Sequence, residues 1–339
     1  MHSGKTNFDK YSSDFIRTIS AERYGMLVKL YSEINYLTFR WMKHNNIQIV
    51  SLPITTQSIS SPMGLGSDSK PYKVISKSNP DFEFFLADSM QFYLELLLRA
   101  QSIEKVGYIA NTFRGEDVDN RHLHQFNHFE IEIKGNIKDC RNLVIRYLKY
   151  IVRNLIKTIP DILNYFNANN KIRLESWLKK RQFLLTHTKA VKILENDEYN
   201  NGIEIIDGFK TINSNGEKYL MNKFSNSILW LINFPSIIVP FYQKSYRGTA
   251  YNSDLLIGIG ETVGAGERCE TYNETIESIN KHKNNTDDYK WYLDMKRLIP
   301  LKTSGFGIGL ERLVLFLIDE SDIRNVQLIP RETDKEILP

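Results

Sequence analysis

Two strand-like runs joined by a dense polar loop occupy residues 111–133 and constrain the fold more than any other stretch. The sequence NTFRGEDVDNRHLHQFNHFEIEI alternates apolar and polar residues at both ends, which predicts an antiparallel hairpin. Arg114, Glu116 and His122 lie within nine positions of the loop, and Phe126 opens the return strand. Arginine and protonated histidine bind phosphates, and an aromatic face binds a purine, so these residues suit a nucleotide triphosphate site. A salt-bridged surface hairpin explains them equally well, since exposed ion pairs are common.

Composition and charge limit the classes of protein to which the chain can belong. Its 339 residues are 42% hydrophobic, enough for a sizeable core, and a net charge of +4 gives no strong basic field. Cys140 and Cys269 are its only cysteines, which argues against a disulfide framework and indicates a reducing compartment. The first residues lack the apolar core of a signal peptide, and no run of about 18 apolar residues occurs. We therefore expect a cytoplasmic protein without a membrane span.

The domain organisation predicted from the sequence is simple. Residues 1–21 form a polar arm, and residues 22–339 form one large domain. Apolar residues recur every three or four positions over Glu22–His44, which predicts a long amphipathic helix. The β-branched run that follows contains Pro53, as an edge strand or a strand-to-loop transition would. Residues 161–223 have weak periodicity and predict an insertion of helices and loops.

Ser89, Gln91 and Glu95 are the polar members of a short helix that follows an apolar strand. Gln91 and Glu95 are four residues apart and therefore share one helix face. Burying a carboxylate beside an amide is costly unless the two groups bind something polar. The face is therefore either a polar binding site or an ordinary solvent-exposed surface.

The C-terminal third contains two further candidate features. Asp254 and Glu261 are seven residues apart in strand-like runs, and paired carboxylates are the ligands that Mg²⁺ prefers when phosphate supplies the rest. Two acids on the wet face of a sheet are the alternative. The stretch TSGFGIGLERLVLFLI then predicts a glycine-rich strand entering a hydrophobic helix, with Gly309 and Arg312 at the junction. Glycines there let a ligand approach the backbone, although the pattern is neither the dinucleotide fingerprint nor the Walker A loop.

The order of these motifs resembles class II aminoacyl-tRNA synthetases, most closely the asparaginyl branch of the aspartyl, asparaginyl and lysyl subgroup. VSLPITT resembles motif 1 of that family, FRGEDVDNRHLHQF resembles motif 2, and GFGIGLERLVLF resembles motif 3. The likeness covers about residues 22–331. It implies an α+β fold in which an antiparallel sheet carries the active site on one face and helices on the other. It also implies a homodimer formed through the first helix and the Pro53 strand.

The resemblance implies a role for each matching residue. The positions that bind ATP in the family correspond to Arg114, Glu116, His122, Leu123, Phe126, Glu261, Gly309 and Arg312. Among these, Arg114, Glu116 and Arg312 occupy the catalytic positions. Asp254 and Glu261 occupy the positions that hold Mg²⁺.

Matching positions also predict the amino acid that is activated. Ser89 and Gln91 match residues that receive the α-amino group, and Arg268 matches the arginine that contacts the side chain of aspartate or asparagine. Asparaginyl enzymes have a glutamate where this chain has Glu95, whereas aspartyl enzymes have a lysine at the position of Leu94. A carboxylate accepts a hydrogen bond from an amide and repels another carboxylate, so Glu95 favours asparagine over aspartate.

Three functions are compatible with these residues. The first is an ATP-dependent, AMP-forming ligase that makes an aminoacyl-adenylate from asparagine or aspartate and passes the acyl group to ammonia or another amine. Only about 20 residues precede the first helix and the hairpin loop is short, so we expect no anticodon-binding OB domain and no ordinary tRNA charging. The alternative is an asparagine–tRNA ligase that acts without its own anticodon domain. A non-catalytic regulator that binds an amino acid or tRNA is the third, and it would not need the Asp254 and Glu261 pair.

Overall fold

The computed structural model describes residues 20–60, 70–79, 82–206 and 208–329. The predicted N-terminal arm therefore lies outside the described residues, apart from its last two. Within these ranges, no helix has the length and apolar composition needed to cross a membrane.

Helices and strands are interspersed along the chain, with several runs of consecutive strands. The α-helices are α1 (Glu22–His44), α2 (Gln91–Leu97), α3 (Ile137–Thr158), α4 (Pro160–Phe166), α5 (Asn170–Lys179), α6 (His187–Asn196), α7 (Ser214–Lys223), α8 (Tyr272–Lys281), α9 (Lys290–Leu298) and α10 (Leu310–Ile318). The strands are β1 (Gln48–Ile49), β2 (Thr55–Thr56), β3 (Tyr72–Ile75), β4 (Glu83–Leu86), β5 (Lys105–Phe113), β6 (Gln125–Lys134), β7 (Arg181–Thr186), β8 (Ile203–Ile206), β9 (Phe209–Ile212), β10 (Ser227–Ile232), β11 (Ser245–Tyr246), β12 (Thr249–Ala250), β13 (Asn252–Ile257), β14 (Gly260–Glu267) and β15 (Thr303–Gly309).

The main sheet has eight strands in the order β1-β5-β6-β15-β14-β13-β10-β7. Its six central strands are antiparallel, and the two edge strands, β1 and β7, run parallel to their neighbours. The α+β fold with an antiparallel sheet flanked by helices is therefore confirmed. Pro53 lies in the loop between β1 and β2, so the run around it is a strand-to-loop transition.

Side chains alternate between the two faces of the sheet along β6. Phe129, Ile131 and Ile133 enter the main core, to which α1, α3 and α10 also contribute buried residues. Helix α3 begins at a capping box in which Asn136 and Asp139 bond to each other's backbone N–H groups. The intervening residues of β6, which include Glu130 and Glu132, consequently face away from these helices.

Glycines of β15 form the floor of that second face. Gly305, Gly307 and Gly309 lie opposite Glu132, Glu130 and His128 of β6, respectively. A Cβ atom built on Gly305 would collide with the Glu132 carboxylate, and one on Gly307 would lie 3.2 Å from Glu130 Oε1. The absence of side chains on this face of β15 therefore leaves room for the acidic side chains of β6 to lie across the sheet.

The segment 161–223 contains strands that its weak periodicity did not predict. Strand β7 pairs with β10 along six residues and forms one edge of the main sheet, while β8 and β9 make a separate hairpin. Most of β7 is exposed, with only Leu185 buried, so its sequence lacks the clear alternation of a half-buried strand. Helix α7 of this segment brings Glu217 to the face that carries the candidate site.

Candidate active site

Arg114 lies where the hairpin loop leaves β5. Its backbone N–H donates to the carbonyl of His124 at 2.9 Å, which fixes the start of the loop. Its guanidinium carbon lies 5.5 Å from the ring centre of Phe126. Within the described residues its buried Nε has no hydrogen-bond partner. A buried donor of this kind is costly unless a ligand accepts its hydrogen bond.

Arg312 reaches the same region from the first turn of α10. Its Nη1 donates to the Glu261 carbonyl at 2.7 Å, and its Nη2 donates to the Arg121 carbonyl at 3.3 Å. The preceding residue, Glu311, accepts hydrogen bonds from the backbone and side chain of Asn127 at 2.9–3.1 Å. These bonds tie the start of α10 to β6 and hold the guanidinium beside the hairpin.

His128 lies between the two arginines, and sequence reasoning did not select it. Its ring centre is 5.2 Å from that of Phe126. Burial, and then the charges of Arg114 and Arg312, lower the pKa of His128 to about 3. The imidazole is therefore neutral at physiological pH. The structure thus brings Arg114, Phe126 and Arg312 close to one neutral ring.

The other residues predicted at the hairpin lie closer to its surface or to the core. His122 is 47% exposed, and its Nδ1 lies 3.0 Å from Asp119 Oδ1. Glu116 accepts a hydrogen bond from the backbone N–H of Lys70 at 3.3 Å. Leu123 is buried in the main hydrophobic core, so only its backbone is available to a ligand.

Asp254, Glu261 and Glu217 concentrate negative charge beside Arg312. Burial, and then the charges of Glu261 and Glu217, raise the pKa of Asp254 well above its ordinary value. Glu217, which sequence reasoning missed, accepts hydrogen bonds from Arg121 Nη2 at 2.8 Å and from the Glu261 backbone N–H at 3.3 Å. Arginine therefore compensates Glu217, whereas the structure shows no cation beside Asp254 among the described residues.

This arrangement fits a hard divalent cation. Asp254 and Glu261 offer carboxylate oxygens, the donors that Mg²⁺ prefers. The described residues contain no cluster of three or more His, Cys, Asp or Glu residues that could hold a metal ion. A cation between this pair would therefore take its remaining ligands from water or from the phosphates of a nucleotide.

Ser89 lies beside Glu130, near the middle of the glycine floor, and Gln91 follows it in the chain. Ser89 donates to both carboxylate oxygens of Glu130, at 2.7 and 2.8 Å, and the Tyr108 hydroxyl donates to the same group. Burial raises the pKa of Glu130 to about 8. Gln91 forms a hydrogen bond with the buried Tyr242. Sequence reasoning missed Glu130, although the alternation of acids in FEIEI was a signal for it.

Arg268 and Glu132 form a buried ion pair over Gly305. Nε and Nη2 of Arg268 donate to the two carboxylate oxygens, each at 2.9 Å. The guanidinium carbon also lies 5.2 Å from the ring centre of Tyr242. Burial raises the pKa of Glu132 to about 7, an effect that the charge of Arg268 opposes. The pair is rigid because both groups are held at two points.

Glu95 and Lys296 form a second buried ion pair. Lys296 Nζ donates to the Glu95 carboxylate oxygens at 2.6 and 3.1 Å, and to the Cys269 carbonyl at 2.6 Å. Tyr292 also donates to this carboxylate, at 2.9 and 3.0 Å. The Glu95 and Lys296 side chains are 1% and 0% exposed, so the solvent-exposed alternative for this helix face is wrong.

An antiparallel sheet that presents arginines, an aromatic ring and paired carboxylates on a glycine floor is suited to binding a nucleotide and its metal ion. The chain matches the family model described as tRNA synthetases class II (D, K and N) over residues 9–333. It therefore belongs to the class II tRNA synthetases, ATP-dependent ligases that form aminoacyl-adenylates. The resemblance of the motifs to this family is confirmed.

Individual relatives point to one branch of the family. The asparagine–tRNA ligase of Malacoplasma penetrans is 30% identical over 342 residues, covering 95% of this chain and 74% of that protein. A probable mitochondrial asparagine–tRNA ligase of Dictyostelium discoideum is 27% identical and covers 95% and 73%, respectively. The structure of Pyrococcus horikoshii asparaginyl-tRNA synthetase complexed with asparaginyl-adenylate superposes with a TM-score of 0.82 at 23% identity, covering 98% of this chain and 75% of that one. The aspartyl enzyme of Entamoeba histolytica gives 0.75 at 18%, covering 99% and 66%.

Proposed function

We propose that the chain activates asparagine with ATP and transfers the asparaginyl group to tRNA. The charge balance of the side-chain pocket carries this proposal. Arg268 and Lys296 supply two positive charges, and Glu132 and Glu95 supply two negative ones, each within 3 Å of its partner. An asparagine amide can donate to a carboxylate and accept from Arg268 without changing this balance. An aspartate carboxylate would add a buried charge without a counterion, which is costly.

The two arginines support adenylate formation. The carboxylate of the amino acid attacks the α-phosphorus of ATP, a C–O–P linkage forms, and the bond to pyrophosphate breaks. These groups are all negatively charged, so Arg114 and Arg312 would neutralise the phosphate and hold it in line with the attacking oxygen. Mg²⁺ held by Asp254 and Glu261 would supply further charge neutralisation on the phosphate oxygens. The reaction requires no nucleophile from the protein.

The relatives favour tRNA as the acceptor. A tRNA 3′-terminal hydroxyl would attack the adenylate carbonyl and release AMP. The first expectation, transfer to ammonia or an amine, finds no support among the relatives described above, which bear the names of tRNA ligases. The half-buried carboxylate pair, Asp254 and Glu261, argues against a regulator without catalytic activity, since an amino-acid or tRNA regulator needs no such pair.

Assembly and cellular location are also part of the proposal. The outward face of α1 exposes Tyr36 at 60%, Val28 at 42% and Phe39 at 39%, which suits a homodimer formed through α1. Cys140 and Cys269 are both buried free thiols, as is usual in a reducing compartment such as the cytoplasm.

Amino-acid-dependent exchange of pyrophosphate into ATP tests the activation step. We expect exchange with asparagine and Mg²⁺, and much weaker exchange with aspartate. Three product assays then identify the acceptor. They measure acid-precipitable radiolabelled asparagine on added tRNA, hydroxamate formed from hydroxylamine, and the product formed from ammonia. If none of the amino acids tested supports pyrophosphate exchange, the assignment of the chain as an enzyme is refuted. Amide formation from ammonia without charging of tRNA would restore the amine-transfer hypothesis.

A further inference from the structure

A basic groove lies between the C-terminal end of α1 and the middle of α3. Its volume is about 650 Å³, and five of its lining residues are basic: Arg40, His44, Arg146, Lys149 and Arg153. Among the residues that the structure describes, no acidic one lines it. Both helices pack on the core face of the sheet, so the groove is on the side opposite the candidate active site. The adenylation reaction therefore makes no use of these charges.

The cations follow one line along the helix surface. Arg146, Lys149 and Arg153 are separated by three and four residues, so they lie on successive turns of α3 over about 10 Å. Like charges at these spacings weaken a helix. In the described part of the chain, none of the three forms an ion pair with a carboxylate. A linear polyanion would compensate all three charges, whereas a single phosphate would reach only some of them.

Aromatic rings add a second property to the groove. Trp41 is buried in its wall and packs edge-on against Tyr147, with ring centres 5.1 Å apart. Tyr150 also lines the groove, where it is half-buried and packs against the main core. Cations that follow a backbone beside an accessible aromatic face are the usual features of single-stranded nucleic-acid sites. An acidic peptide would need the cations but not the ring.

We propose that this groove binds an RNA strand, with phosphates on Arg146, Lys149 and Arg153 and a base against Tyr150. The site is separate from the catalytic face, so it does not depend on the proposed aminoacylation. The electrostatic part of such binding weakens with salt, by about 0.7 in log K per log unit of salt for each phosphate neutralised on a single strand. Three contacts predict a slope contribution of about 2.

Fluorescence anisotropy with a labelled oligouridine of about 20 nucleotides tests the proposal across a range of salt concentrations. Replacing Arg146, Lys149 and Arg153 together by alanine should weaken binding at least about tenfold near 0.1 M salt and reduce the salt slope by about 2. Tyr150→Leu should weaken oligouridine binding while leaving the affinity for inorganic polyphosphate unchanged. Unchanged RNA affinity in the triple variant would overturn the proposal.

A matched control removes the same charge elsewhere. Lys171 and Lys179 of α5 and Lys192 of α6 are exposed and outside the groove. Their triple alanine variant should bind oligouridine within about twofold of the unmodified chain. An equal loss of oligouridine affinity in both triple variants would show that binding depends on net charge, and it would refute a specific site in the groove. Thermal melting and pyrophosphate exchange should be unaffected in both, and an absence of exchange would bear only on the catalytic proposal.

Discussion

Replacing Lys296 by methionine tests whether the buried pair with Glu95 holds the amino-acid pocket together. The ammonium makes three hydrogen bonds of 2.6–3.1 Å and is fully buried. Methionine preserves most of the volume, so the loss comes chiefly from leaving the Glu95 carboxylate buried without its cation. Removing one partner of such a pair costs about 3–5 kcal/mol. That is a large fraction of the stability of an ordinary domain, about 5–15 kcal/mol.

A double-mutant cycle measures this coupling. Urea unfolding at pH 7 would compare Lys296→Met, Glu95→Gln and the double variant with the unmodified chain. Each single variant should lose about 3 kcal/mol or more, because each leaves one buried charge unpaired. The double variant replaces both charges by neutral groups, so its loss should be smaller than the sum by about 2 kcal/mol or more. If the losses of unfolding free energy in the two single variants add up to the loss in the double variant, Glu95 and Lys296 stabilise the fold independently. That result would refute the proposed coupling.

Three further outcomes follow from the site. Glu95→Gln leaves Lys296 unpaired and gives the pocket a net positive charge, so the ratio of kcat/KM for asparagine over aspartate in pyrophosphate exchange should fall about tenfold or more; an unchanged ratio would exclude Glu95 from substrate selection. Because burial raises the pKa of Glu130 to about 8, this carboxyl becomes charged only as the pH rises through that value. We expect the ammonium of the amino acid beside Ser89, so its KM should fall between about pH 7 and pH 8, below the range in which that ammonium loses its own proton. The Glu130→Gln variant should lack that fall, and a flat profile in the unmodified chain would contradict this role. Arg114→Ala should reduce exchange about 100-fold or more without changing the far-ultraviolet circular dichroism, with Lys171→Ala as an active control; near-normal exchange would remove Arg114 from the phosphate site.

The sequence was informative where structure depends on near neighbours. Alternation in residues 111–133 predicted the β5–β6 hairpin, and the four-residue spacing of Gln91 and Glu95 placed both on one helix. The partner of Glu95 was not predictable in this way, because Lys296 lies 201 residues further along the chain. The sequence around Lys296 in α9 does not distinguish it from a solvent-exposed lysine on a helix. Only the packing of α9 against α2 shows that it is buried.

The carboxylates near Arg312 show the same limit. Asp254 and Glu261 occupy two neighbouring strands and were found from their spacing and motif. Glu217 comes from α7, within a segment whose periodicity was too weak to predict its edge strand β7. Its contact with Arg121 spans 96 residues, so it depends on the position of the whole segment against the sheet.

The glycine floor limits how the substrate range of this site could be redesigned. Any side chain introduced at Gly305 would displace Glu132 and its arginine, so the depth of the pocket cannot be reduced from below at that position. The walls beside it carry paired charges. A variant library that aims at a larger or apolar amino acid should therefore replace Glu95 and Lys296 together. Replacing either residue alone would leave the other charge buried and unpaired.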